Sequence, residues 1–477
     1  MTPGARSFRL PLAVSAVAVL LLTGCATANL EQSLARTNKE AASFTGDKLS
    51  LARNDDEQEK RRLAASTLLS APLGQKEAVQ LALVNSPALQ ALLAQNWADS
   101  ARVAQSGRIA NPVFNFQRIA FEGGLDIERT LAFGLLDLLT LPQRQRVADQ
   151  RMEQAQLTLT GDVIDQVTLV RQAWVRAVTA QQIEKYANQV NLSAEASAEL
   201  ARRMEAAGNF NKLTRARHQT FYADAATRLA SARQEARSTR EKLIRLLGLD
   251  DAQAQQLKLP ERLPELPKQP HQPEQVAQKA SAGRLDIRLA QVALNSAATA
   301  QGLNTFTSFT DIELSLKRNT VFENSGPTTS QRGYEIGLSL PIFDWGDMQR
   351  DTLSAQTLAA ANRLEATVRA AGAHLRESYS AYRTAYDISR HYRDEVVPLR
   401  KTISEENLLR YNGMIIGVFE LLSDSRDQVG TVIAAIGAEE QFWLADAALQ
   451  ATLVGRPTSA AIASPGSGQP AADTKAH

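Results

Sequence analysis

A single cysteine, Cys25, occurs in the 477 residues of this chain, so no disulfide can close within it and no cysteine cluster can hold a metal. The length allows two or three ordinary domains, but aromatic residues are scarce at 5% while Ala, Gln, Leu and Arg abound, a composition of long polar helices. Excess charge is missing as well. Lys and Arg number 53 against 51 Asp and Glu, with no long block of one sign, which leaves no basic field for nucleic acid. His218, His374 and His391 stand apart and lack the i, i+4 or Cys-His spacings of metal ligands, so they read as polar helix residues. Glu122-Gly-Gly-Leu125 lacks the glycine spacing of a phosphate-binding or dinucleotide loop and reads as a hairpin turn; no nucleophile elbow is present either. The expectation is a chain with no catalytic residue, no metal, no cofactor and no means of hydrolysing ATP.

Long apolar runs are also missing, with one exception at the N-terminus. Arg6 and Arg9 precede an apolar stretch from Leu10 to Leu22, closed by Thr23 and Gly24: a signal peptide over residues 1–24, too short to span a bilayer stably. Leu22-Thr-Gly-Cys25 resembles the lipobox of bacterial lipoproteins, which implies that Cys25 becomes a lipidated first residue. Ala26 follows where an aspartate would favour inner-membrane retention, so the resemblance points to the outer membrane. Residues 456–477, rich in Ser, Pro, Gly and Ala, are expected to be disordered.

What the chain does have is a repeat. A short helix, two alternating strands and a helical run of about sixty residues occur twice, and such self-similarity dictates architecture before any motif does. The first copy opens at Glu77 and runs through strand-like stretches Pro112 to Ala120 and Ile127 to Leu138 into helix from about Pro142 to Ala206. The second opens at Glu274, with strands near Phe309 to Lys317 and Tyr334 to Ile342 and helix from about Asp347 to Arg410. This divides the chain into a lipidated N-terminal segment (25–73), a first repeat (74–250), a proline-rich linker (251–272) and a second repeat (273–455).

Along the last strand Tyr334, Ile336, Leu338, Leu340 and Ile342 share one face, and Glu335, Gly337 and Ser339 the other. Ile312, Leu314 and Leu316 likewise oppose Asp311, Glu313, Ser315 and Lys317. Strands of about ten residues with one apolar and one polar face suit a water-filled transmembrane barrel. Such strands cannot close a barrel within one chain, and an open edge in hydrocarbon would leave backbone groups unpaired, so subunits must pool them. The interior faces of Ile127 to Leu138 and Phe309 to Lys317 would line the pore, and Phe343 and Trp345 suit an interfacial girdle.

In the first long helix Val163, Val167, Val170, Trp174 and Ala177 repeat at four and three, a coiled-coil seam; Leu364, Val368, Ala371, Leu375, Tyr379, Tyr382 and Tyr386 form its counterpart in the second. Some sixty helical residues reach roughly 90 Å, farther than a small domain is wide. Each run is followed by a returning helix, from about Lys212 to Leu247 and from about Val418 to Val454, and Pro398 should kink or interrupt the second outward run. The N-terminal segment and the linker, Leu259-Pro-Glu-Arg-Leu-Pro-Glu-Leu-Pro-Lys-Gln-Pro270, are expected to wrap the hairpins at mid-height.

With the lipobox, the Gly337-Leu-Ser-Leu-Pro-Ile-Phe343 run and the two hairpin turns, the chain resembles the TolC family of outer-membrane efflux proteins, specifically its lipoprotein branch. The resemblance implies a mainly α fold with membrane β: two repeats, each a strand pair plus a long antiparallel coiled-coil hairpin, forming as a homotrimer a twelve-stranded β-barrel and an α-helical periplasmic tunnel. It further implies an exit duct that passively conducts substrates delivered by an inner-membrane pump through a periplasmic adaptor, in a tripartite efflux or type I secretion-like system. The hairpin turns, Ala207 to Leu213 and Arg410 to Leu422, would dock the adaptor, with Gly208, Asn209, Lys212, Arg215, Gly413, Met414 and Gly417 as the tip residues. Glu420, Asp424 and Asp427 share a face on the returning helix and would form carboxylate rings at a periplasmic gate; Lys212 and Arg215 could pair with them across hairpins. Met414 stands where many relatives have glycine, and Ser423 where they have aspartate. The Ala-Gly-Asn turn is similar to branches accompanying heavy-metal exporters, with drugs and solvents equally open as cargo. The competing expectation is a non-conducting, lipid-anchored coiled-coil scaffold of the envelope, which would leave the amphipathic strands without a purpose.

Overall fold

The computed structural model describes residues 30–458 apart from 275, 277, 279–282, 308–311, 325 and 341. The signal segment, Cys25 and the tail from 459 lie outside the described residues. Two compact units are present: one gathers Ala94–Leu159 and Asp286–Val368, the other Arg36–Leu93, Thr160–Leu285 and the chain from Arg369 onward.

The first unit contains the sheet. Strands β1 (Val113–Phe121), β2 (Gly124–Gly134), β3 (Ile312–Glu323) and β4 (Thr329–Leu338) lie in the order β1-β2-β3-β4, each antiparallel to the next. The repeats meet at β2 and β3, where Gly124 lies opposite Glu323 and Gly134 opposite Glu313. The two hairpin turns are tied together by the Asn324 amide, which donates to the Gly123 carbonyl at 2.8 Å.

The strand limits differ from the expectation. β3 and β4 extend toward their turn through Asn319, Thr320, Ser330 and Gln331, polar residues that periodicity assigns to a loop but whose backbones continue the ladder. β4 ends at Leu338 rather than Ile342; Pro341, which has no N–H for a ladder, lies outside the described residues, as do 309–311. β2 stops at Gly134 because Leu135-Leu-Asp-Leu-Leu, leucine pairs around Asp137 without period-two alternation, is already helical. Arg144 secures this start, donating to Asp137 at 2.7 Å and to the carbonyls of Ser106 and Arg108.

Helices precede and follow the sheet in each repeat: α1 (Leu30–Thr45), α2 (Asp55–Leu69), α3 (Gln75–Asn85) and α4 (Pro87–Ser106), then α5 (Leu135–Ala206), 72 residues long, and its return α6 (Lys212–Leu247). After the short α7 (Asp251–Gln256) and the linker come α8 (Leu285–Thr307), α9 (Asp347–His391), α10 (Val397–Asn412) and α11 (Val418–Leu453). Pro398 does interrupt the second outward run. Tyr392–Val396 forms a π turn in which the Val397 amide reaches back to the Tyr392 carbonyl, and this wider turn accommodates the amide that proline lacks.

In the second unit the expected seam is the core. Val163, Val167, Val170, Trp174 and Ala177 are all buried, and the Trp174 indole donates to the Leu73 carbonyl at 2.7 Å. Tyr382 and Tyr386 pack with Phe442 and Leu449 in a second cluster, where a fully buried large apolar side chain contributes roughly 1.5–3 kcal/mol. The linker lies across both repeats, held through carbonyls that its prolines leave free. Gln181 of α5 donates to the Pro260 carbonyl, Trp443 of α11 to that of Pro264, and Tyr386 of α9 to that of Pro267. Arg171 of α5 similarly donates to the Phe44 carbonyl at 2.6 Å, tying the N-terminal segment to the helices.

Candidate functional site

The hairpin tips lie in the second unit and share one backbone. At the first, Gly208 takes the left-handed conformation (φ 82°) and the Asn209 amide closes onto the Met204 carbonyl at 2.8 Å. At the second, Met414 takes that position (φ 59°) and Ile415 closes onto Arg410 at 2.8 Å. Both are Schellman-type helix ends. Asn211 then caps α6, its side chain accepting from the Thr214 amide at 2.8 Å, whereas Gly417 caps α11 with no side chain. His218 lies buried behind the first tip, with Ser197 Oγ at 2.7 Å from Nδ1 and the Phe210 ring stacked on it. Burial holds its pKa below the usual histidine value. Met414 and Ile415, by contrast, are exposed at 94% and 75%, an apolar point on the molecular surface.

The three carboxylates assigned to a gate occupy three different environments. Glu420 is exposed; Asp427 faces Arg400 at 3.6 Å; Asp424 is buried, and its Oδ2 has no hydrogen-bond partner among the described residues. Leaving such an oxygen unsatisfied costs about 1–3 kcal/mol or more, which makes Asp424 the member of the set that asks for a functional account. Lys212, Asn209 and Gly208 are exposed at the first tip. Arg215 does not reach across to the carboxylates of α11: it pairs with Glu205 of its own hairpin at 2.7 Å, a partner brought close by the tight turn.

Coupling between the hairpins uses residues that spacing did not single out. Arg217 lies over the Phe419 ring at 4.4 Å, and Arg426 reaches Asp224 at 3.3 Å while covering Phe221. Arg217, Phe221 and Asp224 recur at four and three along α6, as do heptad positions. That regularity was visible in the sequence, but its partner on the other hairpin was not.

In the first unit the register sorts the sheet into two faces. On one lie Phe114, Leu131, Leu316 and Tyr334 in a row across all four strands, followed toward the helices by Phe133, Leu314 and Ile336. On the other lie Asn115, Gln117, Asp126, Glu128, Thr130, Glu313, Ser315, Lys317, Gln331 and Glu335. Lys317 sits among these acids, bonded to Glu335 and 3.7 Å from Glu128. β1 is less strict, since Val113, Ile119 and Phe121 fall on the polar side. The outer strands β1 and β4 each pair on one side only among the described residues.

Residues 276–404 match the model of a family described as outer membrane efflux protein. No curated protein sequence matches the chain. Among solved structures, the CmeC outer membrane channel of Campylobacter jejuni superposes with a TM-score of 0.67 at 14% identity, covering 88% of this chain and 91% of that one. CusC, described in terms of transmembrane channel formation, gives 0.66 at 16%, covering 82% and 92%. The open state of the Neisseria gonorrhoeae MtrE outer membrane channel gives 0.61 at 18%, covering 83% and 91%. At these identities the likeness establishes the fold, that of a TolC-like outer-membrane channel. The family and these neighbours are channels rather than enzymes.

Among the described residues no helix is long and apolar enough to cross a membrane. In the second unit burial raises the pKa of Asp162, Glu439, Glu440 and Asp446. Glu440 of α11 is pushed up to about 7 by desolvation, opposed by Arg176 and reinforced by Glu235. Asp446 is raised for the same reason, with Arg171 and His271 opposing. A neighbouring cavity of about 410 Å³ is bounded by Tyr186, Leu266, Val397 and Glu439, beside the π turn.

Proposed function

We propose that this chain is the exit duct of a tripartite efflux or type I secretion-like system: a homotrimer whose pooled strands close a β-barrel in the outer membrane and whose hairpins build a periplasmic tunnel. A periplasmic adaptor docks at the hairpin tips, an inner-membrane pump supplies the driving force, and a lipid on Cys25 anchors each chain to the outer membrane. The observation that carries this reading is the sheet. One face is apolar and exposed, the other polar, and both outer strands present unpaired backbone, a combination stable in a bilayer only if other chains complete the ring. Exposed Phe343 and Trp345, just beyond β4, suit the interfacial level.

Gating falls to the second hairpin. Glu420, exposed near the tip, would meet its counterparts from the other two chains around the axis, with Asp424, buried and unpartnered through Oδ2, one turn behind it. Crowded carboxylates favour cations, so the gate would be cation-selective. Single-channel conductance of the purified, lipidated protein in planar bilayers tests both statements. Discrete pores whose conductance or cation selectivity changes in Glu420→Ala/Asp424→Ala support duct and gate together, and pores indifferent to the substitutions retain the duct and discard the gate. A folded trimer that stays silent even after removal of both tips would establish the scaffold instead.

A further inference from the structure

Four arginines of the sheet, Arg118, Arg129, Arg318 and Arg332, fall on the apolar face. The register brings three of them into a single row: Arg129 lies directly opposite Arg318, and Arg318 directly opposite Arg332, with Phe116 completing the row on β1. Arg118 lies one step nearer the turns, opposite Ile127. Every carboxylate of the four strands (Asp126, Glu128, Glu313, Glu323 and Glu335) is on the other face, where Lys317 is neutralised by two of them. None of the four arginines has a carboxylate partner among the described residues.

This arrangement is costly on its own terms. Like charges directly opposite on neighbouring strands have Cβ atoms only about 4.5–5.5 Å apart and repel. Arginines that merely extended to water would need no alignment across three strands and could be interspersed with acids. Aligned guanidinium groups without counter-charges match a row of external anions, and their planar forks suit phosphate in two-point contact. The band has a definite level. Toward the helices it is succeeded by the rows containing Leu131 and Leu316, then Phe133 and Leu314; toward the turns two rows remain on that face, Arg118, Ile127, Thr320 and Ser330, then Ala120, Leu125 and Phe322. Resting on the membrane-channel reading above, this puts the arginines at the outward rim of the apolar belt, the level of the outer-leaflet headgroups.

We infer that Arg118, Arg129, Arg318 and Arg332 form a girdle that binds the phosphate groups of phosphorylated glycolipid in the outer leaflet. The full-length protein in dodecyl maltoside micelles, given purified bis-phosphorylated lipid A or its dephosphorylated form, tests this by native mass spectrometry of the trimer. Wild type should retain the phosphorylated lipid about tenfold or more over the dephosphorylated one, while Arg129→Gln/Arg318→Gln/Arg332→Gln loses that preference and Lys317→Gln, on the opposite face, keeps it. The same spectra report trimer integrity; if the triple variant does not assemble, Arg129→Gln and Arg332→Gln alone should each lower retention. Equal retention of both lipids by wild type, preference surviving in the variants, or displacement by inorganic phosphate alone would overturn the assignment. Conductance separates the two readings: a conducting protein without lipid preference loses only the girdle, and one that neither inserts into bilayers nor conducts loses both.

Discussion

At the first hairpin tip glycine occupies the left-handed position and asparagine the helix cap; at the second, methionine occupies the left-handed position and glycine the cap. The backbones are equivalent, yet the residues best suited to each place are present only at the first. A non-glycine residue in the left-handed region costs roughly 1–2 kcal/mol, and a missing cap side chain a few tenths more when glycine replaces it. The first tip is further held by the Phe210–His218 stack, the Ser197–His218 hydrogen bond and the Arg215–Glu205 pair. The second has no buried residue in the whole of α10 leading to it. One repeat therefore ends in a rigid turn and the other in a turn of low local stability, the end of the range from which moving elements are drawn. In the proposed duct that softer hairpin is also the one bearing Asp424.

Hydrogen exchange at the two tips can break this comparison. The largest effect is expected from Gly208→Ala: nothing crowds the new methyl group, so backbone strain alone should lower protection around the first tip by about 1–2 kcal/mol and make it resemble the second. Asn211→Ala should cost about 1 kcal/mol at the start of α6, read as faster exchange of the Thr214 amide. In the opposite sense, Met414→Gly should slow exchange at the second tip by roughly 0.5–1 kcal/mol, the strain relieved less the entropy glycine adds to the unfolded chain. Gly417→Asn should add a few tenths more. A second tip that is no easier to open than the first in wild type would end the argument.

Acidity should narrow the contrast. Because burial depresses the His218 pKa, the stabilisation from its neutral form is present above the unfolded value near 6.5 and is lost as pH falls through the lower folded value. Protection of the first tip should therefore decline on acidification below about pH 6.5, and His218→Phe, which keeps a ring on Phe210 without a titrating group, should flatten that decline.

Much of this architecture was legible in the residues. The seam from Val163 to Ala177 is buried as its spacing required, and α6 begins and ends where the sequence placed it, at Lys212 and Leu247. The likeness to TolC-family channels, drawn from short motifs, is matched by the domain at 276–404 and by the superposed channels. Less legible were Leu135–Leu141, whose leucine-rich sequence fits strand and helix alike, and the polar ends of β3 and β4, which only their paired neighbours identify as strand. Arg215 was paired with the wrong hairpin because Glu205, ten residues earlier, returns to it only once the turn is closed.

Local patterns determine local structure, because periods of two and 3.6 residues are written into which side chains share a face. The sequence alone was therefore enough for the repeat, the hairpins and their reversals, the two-faced strands and the likeness to the channel fold. Tertiary structure decided what depends on pairing between distant segments: β2 against β3, Arg217 over Phe419, Asp424 enclosed while Glu420 stays in solvent, and three arginines from three strands in one row. A one-residue slip in any of those strands would move its arginine to the opposite face, so that row exists only at the level of register, which is a property of the assembled sheet.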